Sequence, residues 1–254
     1  SASYGAVKGG HVADIAARLD DLCDTAANAA GFGIAKVAIA GEQEVRRNEI
    51  LNLAGITENS SLLFLDAARM RARLLTNPWI AQATVLKLYP SELRIEIVER
   101  KPFALWQKAG NVSLISADGM VLTPSVPPRF SGLPQVVGAG AERAAHNFLS
   151  LVGHFPELAR NVEAAILVAE RRWNLHLKSG VDVLLPEAEP ERALTTLVEL
   201  DRAKKLLSRD IVAVDLRLPD RVTVRQSDAA AAARDEALKA AADKEKKKKK
   251  GSEA

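Results

Sequence analysis

The four histidines, the single cysteine and a few carboxylates are the residues with which this chain could do chemistry, and their spacing supports little of it. His146 and His154 lie eight apart around an expected helix end, a separation that does not aim two imidazoles at one metal from one helical face; His11 and His176 stand elsewhere. Cys23 is alone, which excludes an internal disulfide and a cysteine-rich metal site. Asp118 precedes Gly119, the pair a tight turn selects, and a turn explains it better than a catalytic role. Glu96 and Glu99 interleave with Arg94 and Arg100 along a strand, where cross-strand pairing is the simpler account. The hydrolase elbow G-x-S-x-G, the phosphate loop G-x-x-x-x-G-K-[ST] and the zinc helix H-E-x-x-H are missing. The residue types point to no catalytic, cofactor or metal site.

Cationic chemistry is the next possibility, because the chain carries a formal charge of +3. Residues 228–254 hold eight Lys/Arg and six Asp/Glu, leaving 27 and 26 for residues 1–227. A nearly neutral folded part gives little support to a groove for nucleic acid. Lys246 to Lys250 could meet an anionic lipid or polymer, although interleaved acids and the lack of aromatics favour a solvated tail. Arg69, Arg71 and Arg73 project in different directions around a helix and read as a solvated face. No apolar run approaches the ~20 residues that span a bilayer. The chain starts at Ser1 rather than Met, which suggests a processed or trimmed chain from which any membrane anchor or targeting signal would be missing.

The elements that position these residues fall into two groups. Ahead of them, Val12, Ile15, Ala16, Leu19, Leu22 and Cys23 form a helical stripe over residues 12–30, broken at Gly31-Phe32-Gly33. A strand over 34–40 is followed by a helix from an Asn48 N-cap to Gly55, and by a second helix from Asp66 to Pro78. A hairpin then spans Asn77 to Trp106. In it Thr84, Leu86 and Leu88 alternate with Ala83, Val85 and Lys87, and Leu93, Ile95 and Ile97 alternate with Arg94, Glu96 and Val98, giving a Leu/Ile face that two helices must cover. The order is β-α-α-β-β.

Past Lys101-Pro102 a second sheet is expected: strands at 103–106, 112–116, 120–122, 133–137, 164–168, 172–177 and 181–185. A helix follows over Glu191 to Leu207, with Leu194, Leu197, Val198, Leu206 and Leu207 inward, and a last hairpin pairs 211–216 with 221–225. From Asp228 the alanine- and lysine-rich sequence cannot bury a core and reads as disordered or loosely helical. The last strand, Arg221-Val222-Thr223-Val224-Arg225, should form a sheet edge with unpaired backbone groups. Arginines can guard such an edge against self-pairing, and they can also select an acidic partner strand.

The segments GEQEVRRNEILNLAGI and NPWIAQATVLKLYPSELRIEIVERKPFALW, in β-α-α-β-β order, resemble the polypeptide-transport-associated (POTRA) domain of the FtsQ/DivIB family of bacterial cell-division proteins. VSLISADGMVL, ERRWNLHL and VDLRLPDRVTVR resemble that family's second, mostly β domain. The resemblance implies an α+β chain: a juxtamembrane helix or stalk over 1–33, a POTRA domain over 34–102, a second α+β domain with a mainly antiparallel sheet over 103–227, and a charged tail over 228–254. It implies no catalytic activity and no cofactor. It further implies a single-pass inner-membrane protein with its bulk in the periplasm, enriched at the division septum, which binds FtsB- and FtsL-type partners and helps recruit and regulate septal peptidoglycan synthesis. The family's last strand accepts a partner segment, a role that falls on Arg221, Val222, Thr223, Val224 and Arg225, with Leu218 beside them and Arg171, Arg172 and Arg217 as candidates for pairing partner carboxylates. Aromatics sometimes found near that strand are replaced here by Leu218 and Val224. The competing expectation is a POTRA-bearing periplasmic chaperone or secretion-pore subunit that handles outer-membrane proteins.

Overall fold

The structure, a computed structural model, describes residues 23–57, 59–232 and 236. It divides into two compact units between Lys101 and Pro102. The first contains β1 (Lys36–Ala40), α1 (Arg47–Ala54), α2 (Ala67–Leu74), β2 (Ile80–Leu88) and β3 (Glu92–Glu99), with the sheet in the order β1-β3-β2. The hairpin β2–β3 is antiparallel and β1 joins β3 in parallel.

Local chemistry sets the ends of the two helices. Gly55 closes α1 at φ 68°, a left-handed position that a glycine occupies without Cβ strain. Asp66 caps α2 by accepting the Arg69 N–H. Asn48 is not the N-cap of α1, as the sequence suggests, because the helix already begins at Arg47. The carboxylate of Glu99 secures the approach to it instead, accepting the N–H groups of Gln43, Glu44 and Val45 at 2.8–3.0 Å. The second helix stops at Leu74, short of Pro78. Asn77 then turns the chain, donating to Glu49 and accepting from the Trp79 N–H.

The face of the hairpin differs from the expected one on β2. Leu93, Ile95 and Ile97 are buried, but the register pairs them with Lys87, Val85 and Ala83, so Leu86 lies on the opposite face and is 41% exposed. Side chains alternate every residue along a strand, and the bulge between Ile80 and Gln82 fixes which set turns inward. Ile50, Ala54, Met70 and Leu74 of the two helices complete this core.

Ahead of β1, residues 23–27 are helical and Asn28–Phe32 continues with a wider turn, kinked at Gly31 (φ 89°). The rest of the expected amphipathic stripe, 12–22, lies outside the described residues.

The second unit holds β4 (Pro102–Lys108), β5 (Asn111–Ser116), β6 (Val121–Thr123), β7 (Gln135–Val137), α3 (Ala141–Gly153), α4 (Pro156–Ala159), β8 (Val162–Val168), β9 (Arg172–Leu177), β10 (Asp182–Leu184), α5 (Pro190–Lys204), β11 (Ile211–Asp215) and β12 (Thr223–Gln226). One nine-stranded sheet runs in the order β12-β11-β10-β9-β8-β7-β4-β5-β6. The pairs β4–β7, β7–β8 and β10–β11 are parallel and the others antiparallel, so the chain is α+β throughout. The buried faces of α3 and α5 share one core with the sheet, in which Phe148 stacks on Trp173 at 4.4 Å. Asp118 accepts from the Ser116 hydroxyl at the β5–β6 turn, as a turn residue should.

The last long helix is shorter than its apolar pattern suggests. It ends at Lys204 because Lys205 takes φ 48°, while Asp201 accepts the Lys205 N–H on its carbonyl and the Leu207 N–H on its carboxylate. Leu206–Ser208 then forms a 3-10 turn. After β12, residues 228–232 are helical, with Ala230 N–H donated to the Ser227 hydroxyl; apart from residue 236 the remaining tail lies outside the described residues.

Candidate partner-binding edge

The strand β12 ends the second sheet, and among the described residues nothing pairs with its outer side. Its inner ladder sets Asp215 opposite Thr223, Val214 opposite Val224 and Ala213 opposite Arg225, with a bulge between Ile211 and Ala213. The Ser227 N–H donates inward to the Asp210 carbonyl. By two-residue alternation the backbone groups of Thr223 and Arg225 also face β11. Those of Val224 and Gln226 therefore face away from the sheet, while Arg221 and Val222, expected in the strand, precede its start at Thr223.

Side chains sort onto two faces. Val224 lies in register with Val214, Val183 and Leu175 on the core face. There a groove of about 820 Å³ opens between β12 and α5, lined by Val222 and Val224 on one side and by Ala193, Thr196, Leu200 and Lys204 on the other. Leu218, 54% exposed, and Arg221 close one end of it. Arg221 pairs with its neighbour Asp220 at 3.0 Å. Arg171 reaches toward Glu187, another groove residue, at 3.8 Å.

The opposite face carries Thr223 and Arg225 in rows with the other candidates. Thr223 is in register with Asp215, Leu184 and Asn174; Arg225 is in register with Ala213, Asp182 and His176. Arg217 is already engaged here: its guanidinium makes a two-pronged bond to Asp215 at 2.6–3.1 Å. That bond holds the Asp215 carboxyl below the ordinary aspartate range, against a smaller opposing effect of burial. Arg172 also lowers it through space. Two groups on this face are different. The Nε of Arg172 and the Oδ1 of Asn174 are buried and have no hydrogen-bond partner among the described residues.

The sequence thus singles out residues that the structure gathers at one end of the second sheet, on both faces of its outer strand. It did not single out the wall of α5, nor Asn174 and Asp215. Thr196 and Leu200, four apart on a helix facing the core, carry the only pattern that could have drawn attention to that wall. Nothing in this arrangement assembles a nucleophile with a base. Among the described residues no group of three His, Cys, Asp or Glu side chains is placed to hold a metal, and no helix is long and apolar enough to cross a membrane.

The chain is thus an α+β protein in which a two-helix, three-stranded unit is followed by a nine-stranded sheet that ends on an open strand. The family model for the FtsQ-type POTRA domain matches residues 32–100, and that for the C-terminal part of cell division protein FtsQ/DivIB matches residues 104–217, ending before β12. Cell division protein FtsQ of Bradyrhizobium diazoefficiens is 52% identical over 239 residues, covering 94% of this chain and 70% of its own length. The protein of the same description from Agrobacterium fabrum is 36% identical, covering 92% and 72%; that from Caulobacter vibrioides is 36% identical, covering 82% and 69%. The chain belongs to the FtsQ family of bacterial cell-division proteins.

Proposed function

We propose that this chain is a non-enzymatic scaffold of the division machinery, and that β12 takes up an extended periplasmic segment of an FtsB-type partner as a tenth strand. The observation that carries the reading is the position of β12: outermost in the sheet, with Val224 and Gln226 presenting backbone groups to an incoming strand. On one side of that strand its side chains would enter the groove against α5, and on the other its carboxylates would meet Arg225, while Arg172, on β9 and three strands in from β12, would pair with a part of the partner that lies across the sheet face. Arg221 lines the groove and Arg171 reaches one of its lining residues, Glu187, so a partner carboxylate would compete with Asp220 and Glu187 for them.

In this reading FtsL-type partners join the same complex, which recruits and regulates septal peptidoglycan synthesis. Residues 34–102 serve as the POTRA domain that contributes to septal placement, and 103–227 as the partner-binding domain. A single-pass anchor before Ser1 holds the chain to the inner membrane, with this portion in the periplasm. The family membership reported above supports a division role.

The test compares two prolines. Val224→Pro removes an N–H that faces away from β11, at an edge position where proline leaves the inner ladder intact. It should fold, and weaken binding of the cognate FtsB periplasmic peptide about tenfold or more, equivalent to about 1.4 kcal/mol. Thr223→Pro breaks the ladder to β11 and should loosen the strand itself. Unchanged affinity for a folded Val224→Pro protein would show that the partner does not add to this edge.

A further inference from the structure

The sheet of the first unit has two edges of its own among the described residues, β1 and β2. Each is treated differently from β12. Along β1, the Lys36 N–H goes to the Ser91 carbonyl on the β3 side, so Val37 turns its carbonyl outward; there Arg47 donates to it at 2.7 Å. Along β2, the Ala83 carbonyl accepts from Arg71 Nε at 2.9 Å. Further up the same strand Arg100 donates to the Ile80 carbonyl at 2.7 Å. An arginine from the helical layer thus occupies an edge acceptor on each side of this sheet. Strand addition needs those acceptors, and an incoming N–H would first have to displace a charged donor from each of them.

We infer that Arg47 and Arg71 are edge guards, and that the strand Arg71 holds closed, β2, would otherwise pair antiparallel with β2 of a second copy of this chain. The sequence of β2, IAQATVLKL, suits that occupant. It is nine residues long, carries the exposed Leu86 beside Val85 and bears one charge, so two copies laid antiparallel bring apolar side chains together with little repulsion. The bulge between Ile80 and Gln82 protects only one end of the strand. Arg71 covers the middle.

The experiment uses the full chain and sedimentation velocity over a range of concentrations. Arg71→Met keeps the aliphatic stem and removes the donor. The variant should shift reversibly to the dimer mass at concentrations where the parent remains monomeric, with slowed amide exchange at Val85 and Lys87. Adding Val85→Pro should return it to the monomer. A folded Arg71→Met protein that stays monomeric throughout overturns the inference, and so does a parent that already dimerises in a manner abolished by Val85→Pro. Arg71→Leu, read by the same two measurements, puts the same question to β2, so a folding failure in one Arg71 variant leaves the other decisive, and Arg47→Met tests the guard on β1 separately.

Discussion

At the scale of single residues, the charged groups of the candidate site are unequal in exposure and in partners. Arg217 spends its guanidinium on Asp215, whereas the Nε of Arg172 is buried without a partner among the described residues. If partner carboxylates bind this face, Arg172→Met should weaken the peptide complex more than Arg217→Met, as a titration of both variants would read out. The Asp215 bond also has a pH signature. Its folded-state pKa is depressed, so the pair stabilises the protein fully above the ordinary aspartate range, about pH 4, and loses that contribution as pH falls through the lower folded value. The melting temperatures of Asp215→Asn and the parent should therefore differ most near neutrality and converge in acid. A third residue, Glu99, does structural work for three backbone N–H groups at once. Glu99→Ala should cost the first unit about 1–3 kcal/mol in chemical denaturation.

At the scale of elements, the hairpin β2–β3 tests how much a periodic pattern can say. Alternation located both strands, and it assigned the buried face of β3 correctly through Leu93, Ile95 and Ile97. On β2 the larger residues, Leu86 and Leu88, mislead. The smaller Ala83 and Val85 face the core because the register, anchored by the bulge near Ile80, is a property of the paired strands and not of either alone. Ile95→Ala should cost about 2–5 kcal/mol and Leu86→Ala less than about 1 kcal/mol, a contrast that equilibrium unfolding resolves. The end of α5 was hidden for a similar reason. Leu206 and Leu207 continue the helical spacing, but Lys205 turns left-handed and the Asp201 carboxylate takes the Leu207 N–H, which no window of apolar residues records.

At the scale of the molecule, the order of elements in both units was legible because each is written as alternating or helical runs punctuated by glycine and proline. Residues that build the groove were not, since Ala193, Thr196 and Leu200 meet Val222 and Val224 only after the crossover from β10 through α5 to β11 has folded. Charge distribution belongs to this scale as well. With residues 1–227 nearly neutral, any retention of the chain on an anionic polymer such as heparin should depend on Lys246 to Lys250. Deleting those five lysines should abolish it, while retention that survives would locate a basic surface in the folded units.

Since β12 is both outermost in the sheet and the last of its strands in sequence, the proposed docking edge is also the last part of the sheet to be synthesised. Until Thr223 to Gln226 have emerged, the exposed edge is β11, whose Ile211, Ala213 and Val214 are buried in the finished protein. A nascent or truncated chain therefore offers a different, apolar border to its surroundings. Recognition along β12 would then report that the second sheet had been completed.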